Sequence, residues 1–395
     1  MLFLIAIVMS FILYGMTSSL FPSVWTTIAS DIGVDYSLLG IITMIPNATS
    51  GISSAFAYKV RRKLGTNLSV TAGLIGFLIS MLFFFSAKNI VMICIAYAVL
   101  GTANGIIDTV ANSYIVKAYA GGVSSFLHAS WGIGSSIGPM LMSLAILNTG
   151  IYKNGFLWVA IILVITIAIF GILKVYWQGK KKTVSEEYVK LHSVSEEEKQ
   201  SHIDILDTFK IHFGTIFVAC FVLCGSVNSV FNAWIATFAV EQHGLSATAG
   251  ATAATCFFVG LTAMRLILTV ASRYIESKTI LYSGMIISLI GSALLYIKTD
   301  NEMIVYAISV IIGIGIAPVV PFLHHSIKEI FDEKYIGVIV SACNCMALIG
   351  SSITVALVSL AIKIIGINNV QIILIIYLVL ALILYHQMTK SRTKA

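Results

Sequence analysis

The stretch from Asn89 to Lys117 reads NIVMICIAYAVLGTANGIIDTVANSYIVK, and it decides the fold class of this chain. It is a long apolar run that holds one acidic residue, Asp108, and no basic residue before its last position. A helix needs about 20 apolar residues to cross a bilayer. Hydrocarbon offers no partner to a free backbone N–H or C=O, so helices and closed barrels are the structures that span it. The stretch therefore predicts a membrane-spanning helix.

Similar apolar runs fill most of the 395 residues. The chain is 58% hydrophobic and 10% charged, against about 25% charged residues in soluble domains. It lacks the alternating segments of about ten residues that are typical of membrane barrels. We therefore predict an all-α integral membrane protein with twelve spans. Their predicted limits are 2–28, 37–58, 67–86, 89–117, 122–147, 154–176, 212–240, 246–271, 279–297, 303–327, 335–362 and 368–387.

The lysine and arginine residues outside the spans are divided unequally between alternate loops. Nineteen lie on the side that carries both termini, and four lie on the other side. The positive-inside rule then places both termini in the cytoplasm of a multi-pass plasma-membrane protein. We interpret the net charge of +7 as a sign of topology and expect no nucleic acid partner.

A polar segment divides the chain into two halves. Residues 178–211 hold thirteen of the 41 charged residues, and their two Ser-Glu-Glu sequences resemble helix starts with acidic first turns. We expect one or two surface helices there. The predicted domains are a six-helix bundle over 1–177, a cytoplasmic linker over 178–211 and a second six-helix bundle over 212–395.

Short repeats indicate that the two halves are duplicates of each other. The sequence IGSSI occurs at 133–137 and again at 349–353, an offset of 216 residues, and Gly33 and Gly244 end the first loop of each half. Two similar bundles joined by a linker are the architecture of transporters in which one half rocks against the other.

Charged residues deep inside the predicted spans are limited to Asp108 and Arg265. A charge at the centre of a bilayer costs on the order of 3 kcal/mol or more, so such residues usually serve a function. Asp108 is predicted to face a water-filled cavity, where it binds a solute hydroxyl or takes up a proton. The alternative is a static ion pair or a helix cap. Arg265 is either a binding residue or a structural anchor near the cytoplasmic mouth.

Asn104, Asp108 and Asn112 recur every four residues and therefore share one helical face. Gly101 and Gly105 lie nearby and allow close helix packing. A polar stripe with small residues beside it favours a helix that lines a cavity, although interhelical hydrogen bonds would use the same residues. The other candidate substrate-binding residues are His128, Trp131, Asn228, Asn232, Trp234, Arg265 and Asn344.

Two features of the later spans have other interpretations. Trp25 and Trp234 lie near predicted span ends and could be interfacial anchors. Pro318 and Pro321 are predicted to bend or break the tenth span, as in helices that gate. The His324-His325 pair after them is read as a solvated helix end.

Several motifs resemble those of fucose-permease-like members of the major facilitator superfamily. The motifs that support this resemblance are 108–114 (DTVANSY), 127–139 (LHASWGIGSSIGP), 234–238 with 244–246 and 260–265, and 313–321 (GIGIAPVVP). In that family the acidic residue of the fourth helix is implicated in proton-coupled sugar transport. Asp108 matches it, and Asn112 matches the neighbouring polar position. Ser18 stands where the fucose permease has a second acidic residue, and Asn228 stands where relatives often carry Glu.

These observations predict a secondary transporter that moves a small polar solute, a sugar or related metabolite, by alternating access. We expect a monomer in the lipid bilayer, driven by a proton gradient, with no bound cofactor and no metal. The partial antiporter-like motif from Gly134 to Pro139 leaves open the export of drugs or amphiphiles. A membrane enzyme would need a catalytic cluster and a sensor would need a larger soluble domain, so neither class fits the sequence. ATP is an unsuitable energy source because the sequence holds no Walker-type loop.

Overall fold

The computed structural model describes residues 2–118, 121–177, 205–272 and 274–392, and these residues are helical almost throughout. The described chain forms fourteen α-helices joined by short turns. The bounds are α1 Leu2–Leu20, α2 Trp25–Asp31, α3 Leu39–Ile42, α4 Met44–Ser86, α5 Ile90–Ala118, α6 Gly121–Thr149, α7 Lys153–Trp177, α8 Gly214–Thr237, α9 Ala247–Ala271, α10 Ser277–Leu294, α11 Glu302–Ile316, α12 Val319–Ile330, α13 Glu333–Ile365 and α14 Gln371–Arg392.

Eleven helical segments within these described ranges are long and apolar enough to cross a membrane. The segment missing from this set corresponds to the predicted second span. Its residues form α3 and the first part of α4, where Pro46, Asn47 and several hydroxyl side chains lower the hydropathy. The helix α4 then runs through Gly65, whose φ of 77° breaks the helical backbone, into the predicted third span. The second and third spans are thus two arms on either side of a glycine kink.

The outer surface of the bundle is apolar. On α7, Ile161, Ile165 and Ile169 are each at least 50% exposed and recur every four residues, so they form one stripe along the helix. Exposed apolar stripes of this length would drive aggregation in water, whereas lipid tails cover them without cost. The break that the prolines predict is present, because α11 ends at Ile316 and α12 begins at Val319. The predicted linker helices within 178–204 lie outside the described residues.

The duplication is visible in the backbone. Gly134 of α6 packs against α1, where an added Cβ would lie 1.8 Å from the carbonyl oxygen of Ile12. Its repeat partner Gly350 of α13 packs against α8, the first helix of the second half, where an added Cβ would lie 2.4 Å from Val222 Cγ1. The loop glycines also correspond. Gly33 and Gly244 both have φ of 70°, a left-handed conformation that glycine adopts without strain.

The two halves meet along two helix pairs. On one side α6 packs on α9, where the hydroxyls of Ser143 and Thr252 are 3.1 Å apart. On the other side α3 and α4 pack on α13, and Asn47 donates to the Ser352 hydroxyl at 3.0 Å. Small residues allow this approach, because a Cβ on Gly40 would lie 2.0 Å from the carbonyl oxygen of Val355. The interface therefore lets the halves touch backbone to backbone.

We expect Gly134→Ala to destabilise the protein by about 1–3 kcal/mol, the usual cost of overpacking. The new methyl group would overlap the backbone carbonyl of Ile12, which cannot rotate away as a side chain can. Thermal unfolding of the purified protein in detergent measures the effect as a lower melting temperature.

Gly171→Ala is the matched control for this substitution. Gly171 is a helical glycine of α7, and a Cβ there would meet no atom within 4 Å. Alanine is the better helix former by about 1 kcal/mol, so this variant should melt at the wild-type temperature or above. If both variants shifted the melting temperature equally, the close contact between α1 and α6 would not limit stability.

Candidate functional site

Asp108 lies in the part of α5 that packs on α4. Gly101 and Gly105 face α4 so closely that a Cβ on Gly101 would lie 2.2 Å from the Pro46 carbonyl oxygen. The Asp108 side chain is half-buried and interacts electrostatically with Tyr14 of α1. The carboxylate therefore lies among spans of the first half and is only partly exposed.

A chain of aromatic rings leads from this carboxylate to the second half of the protein. Tyr14 contacts Trp131 of α6 edge to face, with ring centroids 6.4 Å apart. Trp131 in turn contacts Phe258 of α9 at 6.2 Å, and Phe258 contacts Phe257 at 5.1 Å. Trp131 is thus the ring that joins the two halves, and a movement of one half against the other must change its contacts.

Several buried polar atoms on these spans have no hydrogen-bond partner among the described residues. Buried polar groups are nearly always paired, so such atoms are candidates for binding a solute or water. They occur on helices of both halves. The set includes Ser18 Oγ, Asn104 Oδ1, Ser135 Oγ, Asn232 Oδ1, Thr262 Oγ1 and Arg265 Nε.

The predicted residues of α8 are close to one another. Asn232 donates to Asn228 through its side-chain amide at 3.3 Å, and both are partly buried. Trp234 is fully buried and stacks on Phe238, so in this state it is part of the core. Trp25 is also fully buried, and its Nε1 donates to the Tyr36 carbonyl at 2.5 Å. Neither indole therefore lies on the surface as an interfacial anchor would.

A cavity of about 640 Å³ lies at the end of the bundle that carries the termini. One lining residue, Ala129 of α6, comes from the first half, and the others come from the second half. Arg265 of α9 lines it together with His324 and His325 of α12. The remaining lining residues are Leu268, Thr269, Ser272, Ser277, Ala317, Val320, Pro321 and Phe322.

His324 is held in one orientation, although its place at a helix end suggested a solvated ring. Its Nδ1 lies 3.1 Å from the Val320 carbonyl oxygen, and its Nε2 lies 2.9 Å from Asn344 Oδ1 of α13. The ring also packs edge to face on Phe221, with centroids 4.6 Å apart. Asn344, a predicted binding residue, thereby positions an imidazole on the cavity wall. His325 is exposed, as expected.

At the opposite end of the bundle, charged side chains of the two halves approach each other. The pKa of Asp35 lies below its ordinary value, chiefly because its carboxylate accepts hydrogen bonds from Ser37, and the field of Lys363 from the second half contributes. Glu241 of the second half lies close enough to Asp35 for mutual repulsion. This end holds the Asp31 carboxylate, which accepts from Tyr152 Oη at 2.6 Å.

The structure thus brings the predicted residues into two groups. Asp108 and Trp131 are linked through Tyr14, while Arg265 lines the cavity with His324, whose ring contacts Asn344. Asn228 and Asn232 contact each other on α8, apart from these two groups. The side chains of Asn112 and His128 lie outside the described residues. The described residues show no cluster of His, Cys, Asp or Glu that could hold a metal ion.

Sequence reasoning missed Tyr14 and Phe258, which flank Trp131, and Thr262, which packs on Gly132. A tyrosine inside the apolar first span was a usable signal, because its hydroxyl needs a partner there. Phe258 gave no signal, because a phenylalanine in an apolar span is typical of any core.

The sequence model of the Major Facilitator Superfamily matches residues 6–355, and a second match covers residues 216–394. No curated protein matches the sequence. Among solved structures, a D-xylose-proton symporter aligns with a TM-score of 0.76 at 12% identity, over 97% of this chain and 96% of that one. A bacterial homologue of the human lysosomal transporter Spinster, inward-facing and unoccupied, aligns with a TM-score of 0.73 at 12% identity, over 99% and 97%.

Proposed function

This chain belongs to the major facilitator superfamily, and from that premise we propose that it is a secondary transporter of a small polar solute, a sugar or related metabolite, coupled to protons. The two halves rock against each other and expose the solute site to each side in turn. The proton gradient supplies the energy, and no bound cofactor takes part. Asp108 is the residue that takes up the coupled proton.

The observation that carries this proposal is the setting of Asp108. It is half-buried inside a span, in the electrostatic field of Tyr14, and next to the aromatic rings that join the halves. Carboxylates inside membrane spans often serve as relays for protons in transporters. Aromatic rings beside it provide flat apolar surfaces on which a small ring-shaped solute can stack. Proton uptake at Asp108 would therefore change the surroundings of Tyr14, whose ring contacts Trp131, and Trp131 carries a contact that must change when the halves move.

The arrangement of the halves supports alternating access. The cavity opens at the end with the termini, while the opposite ends are held together by the α3–α13 contact at Gly40 and Val355. One of the similar structures is a D-xylose-proton symporter, so proton-coupled sugar transport is one known use of this fold. The unequal loop charges support a plasma-membrane protein with cytoplasmic termini. We propose that the monomer is the working unit, since each chain contains both halves.

Uptake into proteoliposomes tests the function. The purified chain is reconstituted and offered a panel of radiolabelled sugars and sugar acids, with and without a pH gradient that is acidic outside. Saturable uptake that the gradient increases would support symport. If no solute of the panel enters faster than into protein-free vesicles, the proposal fails. Extrusion of a dye such as ethidium in exchange for protons would instead identify an exporter of amphiphiles.

A further inference from the structure

The surroundings of Arg265 differ from those expected of a structural anchor. It lies in the membrane-spanning part of α9, and that helix contains no Asp or Glu.

 Its own helix therefore supplies no carboxylate, and Arg265 forms no ion pair with a carboxylate among the described residues. Its Nε is shielded from solvent and has no hydrogen-bond partner in the described part of the chain. An isolated guanidinium in a membrane-spanning segment is costly and calls for an anionic partner.

The cavity that Arg265 lines suits an anion. Its described lining contains this guanidinium and the two imidazoles of His324 and His325, and none of the described lining residues is acidic. The Glu329 carboxylate lies near His325, with its Oε1 3.9 Å from His325 Nε2. Glu329 is about half exposed and is not among the described residues that line the cavity, so it does not serve Arg265 as a counter-ion there.

The rest of the lining suits a hydroxylated molecule. Thr269, Ser272 and Ser277 bring three hydroxyl groups to the lining. The Thr269 hydroxyl donates to the Arg265 carbonyl oxygen at 3.0 Å and can still accept a hydrogen bond from a solute. The volume of about 640 Å³ falls in the ordinary range for small-molecule sites, about 300–1,000 Å³. A six-carbon solute with one anionic group fits such a site, whereas a neutral sugar would leave the guanidinium unpaired.

We propose that Arg265 binds the negatively charged group of the solute, and that the transported solute is an organic anion, such as a sugar acid, rather than a neutral sugar. This inference rests on the proposed transport function and narrows its substrate class. A guanidinium binds a carboxylate or phosphate through two parallel hydrogen bonds, which gives both charge and orientation. An anionic lipid headgroup has the same chemistry, so the test must separate it from a soluble anion.

The experiment is the melting temperature of the detergent-solubilised full chain in sodium gluconate, compared with equimolar glucose, which matches it in size but is uncharged. Gluconate replaces sodium chloride at constant ionic strength. We expect gluconate to raise the melting temperature by roughly 3 °C or more at saturation, because a ligand that binds the folded state stabilises it. Glucose should shift it by less than half as much.

Variants locate the effect. Arg265→Gln should lose the gluconate shift, and Arg265→Lys should keep part of it at higher gluconate concentration, because lysine retains the charge but not the paired donors. Lys278→Gln is the matched control, since it removes one positive charge from an exposed position next to Ser277. It should respond to gluconate as the wild type does.

Three results would overturn the proposal. In the first, neither gluconate, phosphate nor sulfate stabilises the wild type more than chloride does. In the second, Arg265→Gln keeps the full gluconate shift. In the third, added phosphatidylglycerol stabilises the protein through Arg265 while gluconate does not, which would assign the cavity to a lipid headgroup. None of these results would affect sugar uptake in the proteoliposome assay, so that assay tests the transport function independently.

Discussion

Asp108→Asn should abolish accumulation of the solute driven by a pH gradient while leaving exchange of solute across the membrane intact. Asparagine keeps the shape of the side chain and, like a protonated carboxyl group, has both a donor and an acceptor, but it cannot take up or release a proton. A gradient of one pH unit is worth about 1.4 kcal/mol per proton, so coupling to one proton allows about tenfold accumulation. The variant should show no accumulation above the external concentration.

The measurement compares gradient-driven uptake with counterflow, in which preloaded unlabelled solute exchanges for labelled solute without a gradient. Asp300→Asn is the matched control, because it removes a carboxylate from an exposed loop position. Its accumulation should equal that of the wild type. If Asp108→Asn accumulated solute as the wild type does, Asp108 would be a structural residue and the coupling site would lie elsewhere.

Gly40→Ala should force apart the ends of the two halves that lie farthest from the termini. The added methyl group would lie 2.0 Å from the Val355 carbonyl oxygen and 2.3 Å from Ser359 Oγ of α13. Overpacking of this kind costs about 1–3 kcal/mol. Each 1.4 kcal/mol changes an equilibrium about tenfold, so the closed arrangement of this end should lose about ten- to hundredfold in relative population.

Spin labels at Asp35 and Lys363 report this change. The two residues belong to different halves and lie close enough to interact electrostatically, so labels there should show strong dipolar broadening in the parent protein. In Gly40→Ala the broadening should largely disappear, and the turnover of transport should fall because the carrier closes this end less often.

Gly51→Ala is the matched control. Gly51 also faces α13, but a Cβ there would lie 3.7 Å from Leu348 Cδ2, an ordinary contact distance. Its spectrum should match that of the parent. Unchanged broadening in Gly40→Ala would mean that α3 and α13 adjust to the methyl group, and that this contact does not hold the end closed.

Much of the fold could be predicted because a bilayer limits the choices of the chain. Apolar runs of about 20 residues must be helices there, and the loop charges and repeats arrange them into two halves. The predicted second span coincides with α3 and the first part of α4, but its continuation into the third span was not predicted. Its polar residues reduce its hydropathy, and Gly65 joins it to the third span through a kinked helix that periodicity does not reveal.

The sequence by itself determined that this is a two-bundle membrane protein and that Asp108 and Arg265 are its unusual charges, because the cost of a charge in lipid is a property of the residue and its span. The tertiary structure alone decided what surrounds them. It placed Tyr14 close to Asp108, joined the halves through Trp131 and Phe258, and placed Arg265 in a cavity whose described lining carries histidines and hydroxyls but no carboxylate. Such contacts depend on how helices that are distant in sequence pack. Small residues such as Gly40 and Gly132 allow close packing, but the sequence does not identify the residues that they pack against.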